Sequence, residues 1–431
     1  MRGGAGLRTF WGRVKRHPLA RVGPGLITGV ADDDPSGIAT YSQAGAQFGF
    51  GMLWTMPLAY PLMVAIQSMC ARLGRVTGQG LAANIKHSFP AGVVRSVVAL
   101  LLIANMLNIA ADVAAMGEAA QLVTGLDRHL MTVFFVLLTL GLQIFVPYHR
   151  YVGILKWLTL SLLAYAAVLF TVHVPWSTVF SQTLHPSFTP DAAAATMVVG
   201  IFGTTISPYL FFWQASQEVE DMRGGLPGEA AGPLLAEPGP AAAELRRIAW
   251  DTGSGMLYSD VTSYFIILAT AVTLHAAGVT DISSAAQAAN ALRPLAGNFA
   301  FMLFAMGIIG VGLVGVPVLA GAGAYALAEA CGWPFGLERK VGEARGFYAA
   351  IALSVLAALA LQYAPINPMK ALFLSAVING VVAVPLLAVI TLLVSKRSVM
   401  GPFTAAKSTV FFGWTATLLM GAAAIRMFLP D

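Results

Sequence analysis

Three consecutive carboxylates, Asp32, Asp33 and Asp34, stand directly before Pro35-Ser36-Gly37 in the middle of an otherwise apolar run. An aspartate at the centre of a membrane-spanning helix costs about 2.5 to 3.5 kcal/mol on insertion scales, so all three cannot face lipid. They must line water, ions or protein. Pro35 has no amide to donate and Gly37 weakens the helix, so carbonyls near them lose their intrahelical partners. A carboxylate beside freed carbonyls suits a hard cation, and discontinuous helices build sites near the bilayer midplane in this way. The plainer alternative is that the acidic run caps a half-helix or sits at an interface. Asp34 ranks first as a direct ligand, ahead of Asp33, with Asp32 as a path or supporting residue.

A second apolar run is interrupted in the same manner. Gly200 to Ser216 includes Thr204-Thr205-Ile206-Ser207-Pro208-Tyr209, which offers hydroxyls and freed carbonyls, the oxygen ligands of a hard-cation site. A proline kink satisfied by the neighbouring Ser and Thr is the competing reading. Glu218, Glu220 and Asp221 follow and read as solvated charge at a cytoplasmic mouth. Further polar residues in apolar runs are Asp112, Glu118, Asp260 and Asn379. Asp112 and Glu118 either pair with Arg345 or move protons, and Asp260 either lines the aqueous path or binds a neighbouring helix. Gly307, Gly310, Gly312 and Gly315 read as close-packing positions. The histidines, His87 and His149 among them, show no ligand spacing, and an HExxH motif is absent, which argues against an enzyme.

The elements that carry these residues follow from composition. Of 431 residues 57% are hydrophobic and only 10% charged, against roughly 25% charged in soluble domains. Eleven apolar segments of about spanning length fall near 22–46, 50–71, 93–122, 129–147, 152–174, 193–217, 250–277, 298–331, 346–363, 369–394 and 407–428. With the N-terminus inside, 21 of the 25 Lys and Arg residues fall on the cytoplasmic side, leaving Arg128, Arg293, Lys370 and Arg426 outside. That asymmetry sets a multi-pass inner-membrane protein with the N-terminus cytoplasmic and the C-terminus outside. Residues 1–21 read as a basic cytoplasmic tail with no cleavable leader. The rest, 22–431, forms one transmembrane domain. Its parts are a first repeat over about 22–174, a second over about 193–394, a flexible cytoplasmic connector over about 222–248 rich in Gly, Ala and Pro, and an extra helix over about 407–428. The first and sixth segments lie at corresponding places and are both interrupted, which fits a five-plus-five inverted repeat. The net charge of +5 is scattered among short loops, so no nucleic-acid surface is expected. Cys70 and Cys331 have neither a CxxC spacing nor a histidine partner. The expected partners are the lipid bilayer and a cargo ion, with no obligate protein partner and no resident cofactor.

Taken together, the two interrupted segments resemble the Nramp family of divalent metal-ion transporters. The resemblance extends through Gln43-Ala44-Gly45-Ala46, Phe48-Gly49, Leu53-Trp54, Ile66-Gln67 and Leu73-Gly74-Arg75-Val76-Thr77-Gly78. It implies an all-α LeuT-type fold of 11 transmembrane helices, discontinuous at helices 1 and 6. The family carries an aspartate-proline-glycine-asparagine motif on the first helix and methionine-proline-histidine on the sixth. Here Asp34-Pro35 matches, Ser36 replaces glycine, and Gly37 replaces the metal-binding asparagine. Pro208 matches, Ser207 replaces methionine, Tyr209 replaces histidine, and Thr204 falls where a small residue gives its carbonyl. The implied metal set is therefore Asp34, Gly37, Thr204 and Ser207, with Asp33 added from its own chemistry.

These departures change the expected cargo. A thioether favours borderline metals over Mg²⁺ and Ca²⁺, so a hydroxyl at position 207 removes that preference. Fewer direct protein ligands suit an ion that keeps part of its water shell, as Mg²⁺ does. The chain is thus similar to the Nramp-related magnesium-transporter branch that lacks the methionine. Proton coupling in the family is associated with the sixth-helix histidine and helix-three acids. Here Tyr209 and Gln214 hold histidine-like positions, Asp112 matches, and Ala115 stands where a glutamate is expected. Weak or absent coupling follows. On the tenth segment Ala376 has lost a family glutamine, and Asn379 lies one turn away. The expected function is uptake of Mg²⁺ or Mn²⁺ by alternating access. The alternatives are a proton-coupled transition-metal symporter and an amino-acid or Na⁺ symporter of the same fold.

Overall fold

The structure, a computed structural model, describes residues 24–146, 161–187, 191–223, 232–361 and 367–429. Among these residues every regular element is helical. The principal helices are α1 (Pro24–Asp32), α2 (Pro35–Phe48), α3 (Thr55–Thr77), α4 (Leu81–Ser88), α5 (Ala91–Thr124), α6 (Arg128–Phe145), α7 (Leu163–Val168), α8 (Trp176–Leu184), α9 (Ala192–Thr205) and α10 (Pro208–Arg223). They continue as α11 (Ala241–Thr270), α12 (Ala300–Cys331), α13 (Arg345–Leu361), α14 (Pro368–Ser395) and α15 (Lys407–Phe428).

Among the described residues, seven helical stretches are long and apolar enough to cross a membrane: 91–124, 128–145, 192–223, 241–275, 285–331, 368–395 and 407–428. Pro35–Met52 and Thr55–Thr77 pass the same measure together, bent by 112° at their junction. The remaining expected segments differ for identifiable reasons. The first is divided between α1 and α2, the ninth is the 17-residue α13, and much of the fifth lies outside the described residues. Lipid is the outer solvent of this bundle, because Phe145, Phe170 and Trp250 are at least 80% exposed while Asp32, Asp33, Asp34 and Asp112 are at most 1% exposed. A water-soluble protein inverts that distribution.

Close helix contacts put the interrupted segments at the centre. Gly29 on α1 meets the backbone of Gly255 on α11, where an added Cβ would lie 2.2 Å from the Gly255 carbonyl oxygen. Gly315 on α12 faces Asp34, whose Cβ lies 3.2 Å from the position a Cβ at Gly315 would take. Gly312 leaves room for Met116 of α5 in the same way, as the small-residue reading of this stretch anticipates. The peripheral helix α15 packs on α14 and α3 and buries little of itself.

The flexible connector expected over about 222–248 is narrower. Helix α10 runs to Arg223 and α11 begins at Ala241, so the polar stretch was overextended into helix. Its described part is also docked: Leu234 and Leu235 donate amide hydrogen bonds to the carbonyls of Arg75 and Val76, and Leu234 is buried. Residues 1–21 lie outside the described residues. Cys70 is buried and Cys331 exposed, and both are free.

Gly29→Ala forces α1 off α11, and overpacking of this kind costs about 1–3 kcal/mol. A lower thermal unfolding midpoint of the purified protein in detergent is expected; an unchanged midpoint contradicts the contact.

Candidate metal-ion site

Both interruptions have the same construction. Helix α1 ends at Asp32, Asp33 and Asp34 link, and Pro35 opens α2; helix α9 ends at Thr205, Ile206 and Ser207 link, and Pro208 opens α10. Proline lacks the amide that would bond the carbonyl four residues earlier, which frees Ala31 O in the first case and Thr204 O in the second. Each freed carbonyl receives a hydroxyl instead. Tyr209 donates to Ala31 O at 3.2 Å, and Ser207 donates to Thr204 O at 2.6 Å and Gly203 O at 2.9 Å. The two breaks face each other, since a Cβ on Gly37 would lie 3.1 Å from the Thr204 hydroxyl oxygen.

Asp34 joins the breaks. Its Oδ1 caps α2, accepting from the Gly37 amide at 2.9 Å and the Ser36 hydroxyl at 2.6 Å. Its Oδ2 accepts from Asn108 Nδ2 of α5 at 2.9 Å and from the Tyr209 hydroxyl at 3.1 Å. The capping alternative is therefore correct for one oxygen, while the other faces α5 and α10. Asp32 and Asp33 turn the opposite way, toward α11. Ser259 donates to Asp32 Oδ2 at 2.6 Å and lies 3.0 Å from Asp33 Oδ1, and Ser263 lies 3.3 Å from the same Asp33 oxygen. Among the described residues no three His, Cys, Asp or Glu side chains converge on one metal position. A cation at Asp34 has to be completed by main-chain carbonyls, hydroxyls, amides or water.

Comparison with known proteins agrees with this geometry. The family description "Natural resistance-associated macrophage protein-like" (Nramp) matches residues 25–430. The chain belongs to the Nramp family. That is a family of divalent metal-cation transporters, so this is a multi-pass membrane transporter and not an enzyme. Among curated relatives, a divalent metal cation transporter of Verminephrobacter eiseniae is 29% identical over 416 residues, covering 93% of this chain and 86% of the relative. One of Acidiphilium cryptum is 28% identical over 403 residues, covering 90% and 84%. Among solved structures, the Eremococcus coleocola manganese transporter superposes with a TM-score of 0.74 at 17% identity, covering 96% of this chain and 86% of that one. The nucleobase-cation-symport-1 family transporter Mhp1 in a closed conformation superposes at 0.58 with 14% identity, over 94% and 90%. These two likenesses establish the LeuT-type fold.

Gly37 and Tyr209 bond Asp34 directly, Thr204 lies against Gly37, and Ser207 bonds the Thr204 carbonyl. Asp33 does not join them, because its carboxylate is engaged by α11. Gln214 accepts from the Thr28 hydroxyl of α1, and its Nε2 has no partner. Asp112, one turn beyond Asn108 on α5, is buried with neither carboxylate oxygen hydrogen-bonded. Asp260 sits beside Ser259 on α11, 7% exposed, with Oδ1 unpartnered. Asn379 is buried on α14 with Nδ2 unpartnered, next to Gly380, which packs on Val199 of α9. The pair with Arg345 weighed for Asp112 and Glu118 does not form. Arg345 is exposed at the start of α13, while Glu118 Oε1 accepts from the Ala285 amide at 2.9 Å. The acids expected as solvated charge at the mouth are also partly structural: Glu218 is buried against Arg247 at 2.5 Å, and Glu220 accepts from the Tyr325 hydroxyl at 2.6 Å.

Sequence reasoning missed four contributors. Ala31 is marked by lying four residues before Pro35, a signal that was available. Asn108 was legible only as a polar residue one turn before Asp112. Ser259 and Ser263 bracket Asp260 on one face of α11, which shows only after α11 is known to pack on the first break.

Tyr209→Phe removes the single hydroxyl shared by Asp34 and Ala31, and leaving such buried acceptors short costs about 1–3 kcal/mol. The expected result is a lower unfolding midpoint in chelator, with the deficit shrinking when Mn²⁺ is added, because a cation takes over the same two oxygens. An equal deficit with and without metal would mean those oxygens do not bind it.

Proposed function

We propose that the chain takes up divalent cations, Mg²⁺ or Mn²⁺, by alternating access, with a hard-oxygen site and weak or absent proton coupling. The observation that carries this reading is Asp34 Oδ2 beside the proline-freed carbonyl of Ala31, both bonded to the Tyr209 hydroxyl, at a break that faces Thr204 through Gly37. Cation and hydroxyl caps compete for the same oxygens. Binding displaces Tyr209 from Ala31 and Asp34, and Ser207 from Thr204, or adds to their remaining lone pairs. Position 207 carries a hydroxyl where the family carries a thioether, so no sulfur selects for borderline metals.

Gly37 supplies no amide side chain, and Tyr41 occupies the adjoining space, 3.2 Å from where a Cβ on Gly37 would sit. Asn108 makes good that loss. Its Oδ1 is buried and unpartnered, 74 positions along the chain from Asp34 yet bonded to it through Nδ2. An ion held by Asp34, Asn108 and two carbonyls retains water, in keeping with Mg²⁺ chemistry. The relatives named above are described as divalent metal cation or manganese transporters, which keeps Mn²⁺ within the proposed range. Metal-set membership for Asp34, Gly37 (through the amide that holds Asp34 Oδ1), Thr204 and Ser207 is part of the proposal, as is a path role for Asp112, Gln214 and Asn379.

Weak coupling is supported by the acids of α5. Glu118 is occupied at the amide of Ala285, and Ala115 stands where the family carries the second acid. The division of the basic residues into two sides is supported by the ion pairs: Arg75 with Glu244 and Arg247 with Glu218 lie in one group, Lys370 with Asp281 in the other, and among the described residues none joins the two.

Proteoliposome uptake of Mg²⁺, Mn²⁺ and Ca²⁺, with internal pH recorded, tests the reading. Mg²⁺ should enter and compete with Mn²⁺, with little acidification, and Asp34→Ala should abolish uptake. Mn²⁺ uptake indifferent to excess Mg²⁺, or acidification in step with metal, would defeat it. Ser207→Met should shift competition toward Mn²⁺ and Cd²⁺; an unchanged order would mean residue 207 does not face the ion.

A further inference from the structure

Two buried carboxylates remain that the Asp34 site does not use. Asp32 and Asp33 share Ser259, whose one hydroxyl proton cannot serve both Asp32 Oδ2 at 2.6 Å and Asp33 Oδ1 at 3.0 Å at full strength. Ser263 adds one longer contact at 3.3 Å. The other oxygen of each acid, Asp32 Oδ1 and Asp33 Oδ2, is buried without any partner. The hydroxyl of Tyr41, a residue of α2 that is 0% exposed, makes no hydrogen bond of ordinary length and lies beside Ser263 and Thr205. Asp260 Oδ1, adjacent on α11, is unpartnered as well. No ion pair among the described residues involves Asp32, Asp33, Asp34, Asp112 or Asp260.

Such a set is costly empty. Two carboxylates removed from water need neutralising and hydrogen-bonding partners, and here protein donors supply one strong and two weaker contacts. Buried oxygens without an ordinary partner lie on three packed elements: the end of α1, α2 through Tyr41, and α11 through Asp260. We infer that Asp32 and Asp33, with Ser259, Ser263 and Tyr41, bind a second divalent cation between the first break and α11, separate from the ion at Asp34. Two carboxylates neutralise a divalent ion, whereas a monovalent ion leaves a net buried charge. All-oxygen ligation selects the hard class. This goes beyond the transport reading, because it adds a binding site on the opposite side of the break, and it does not depend on the Asp34 assignment.

Equilibrium dialysis of the purified full chain with Mn²⁺ measures it. The wild-type protein should bind two equivalents, the Asp32→Asn/Asp33→Asn double variant one, and Asp34→Asn one. One equivalent or none in the wild type, or two in the double variant, overturns the second site. Two equivalents retained in Asp34→Asn would instead remove the first site and leave the second standing. Ser259→Ala keeps both carboxylates and guards against a folding artefact. Loss of a residue that positions ligands typically weakens metal binding about 10–100-fold, so only the second equivalent should weaken by that factor. An unchanged isotherm overturns the inference, as does displacement of the second equivalent by excess Na⁺.

Discussion

A proline inside a membrane helix leaves a carbonyl with no amide and no water to replace it. In a bilayer that oxygen must be bonded by a side chain or by cargo. Pro61, Pro317 and Pro385 sit inside helices that continue through them, whereas at Pro35 and Pro208 the helix breaks, freeing the carbonyls of Ala31 and Thr204, and Gly37 beside the first break meets Thr204 of the second. In each case the substitute donor is a hydroxyl of the second broken segment, Tyr209 or Ser207. A hydroxyl donor is exchangeable for a cation in a way that an amide within a helix is not. On the proposed reading, the need to satisfy backbone oxygens becomes the means of holding an ion.

The packing follows from that need. Facing breaks require their helices to approach closely, and the chain provides glycine at the contacts: Gly29 on Gly255, Gly315 on Asp34, Gly37 on Thr204. Around the centre, long helices supply fixed walls. Helix α5 delivers Asn108 to Asp34, and α11 delivers Ser259 and Ser263 to Asp32 and Asp33. The three sequential aspartates are thereby divided between two directions, which local sequence does not reveal because the direction of each side chain is set by the turn between α1 and α2.

Much of the architecture was legible because its causes are local. Apolar length identifies spans, proline and buried acids identify breaks, and spacing from proline identifies freed carbonyls. Asp34, Thr204, Ser207 and Tyr209, named from the resemblance, lie at or beside the two helix breaks. Contacts between distant segments were not legible: the neighbour of Asp34 on α5 is Asn108, and Glu118 caps the amide of Ala285 instead of meeting Arg345. The connector was misjudged for a related reason. Its Gly-, Ala- and Pro-rich composition reads as flexible, yet Ala241 onward continues a long helix and Leu234 is buried against the end of α3.

Anomalous diffraction from crystals grown with Mn²⁺ addresses the central claim most directly. The expected peak lies within ligand distance of Asp34 Oδ2 and the carbonyl oxygens of Ala31 and Thr204, with Tyr209 moved off at least one of them. A peak elsewhere, with Tyr209 and Asn108 still bonded to Asp34, would contradict it.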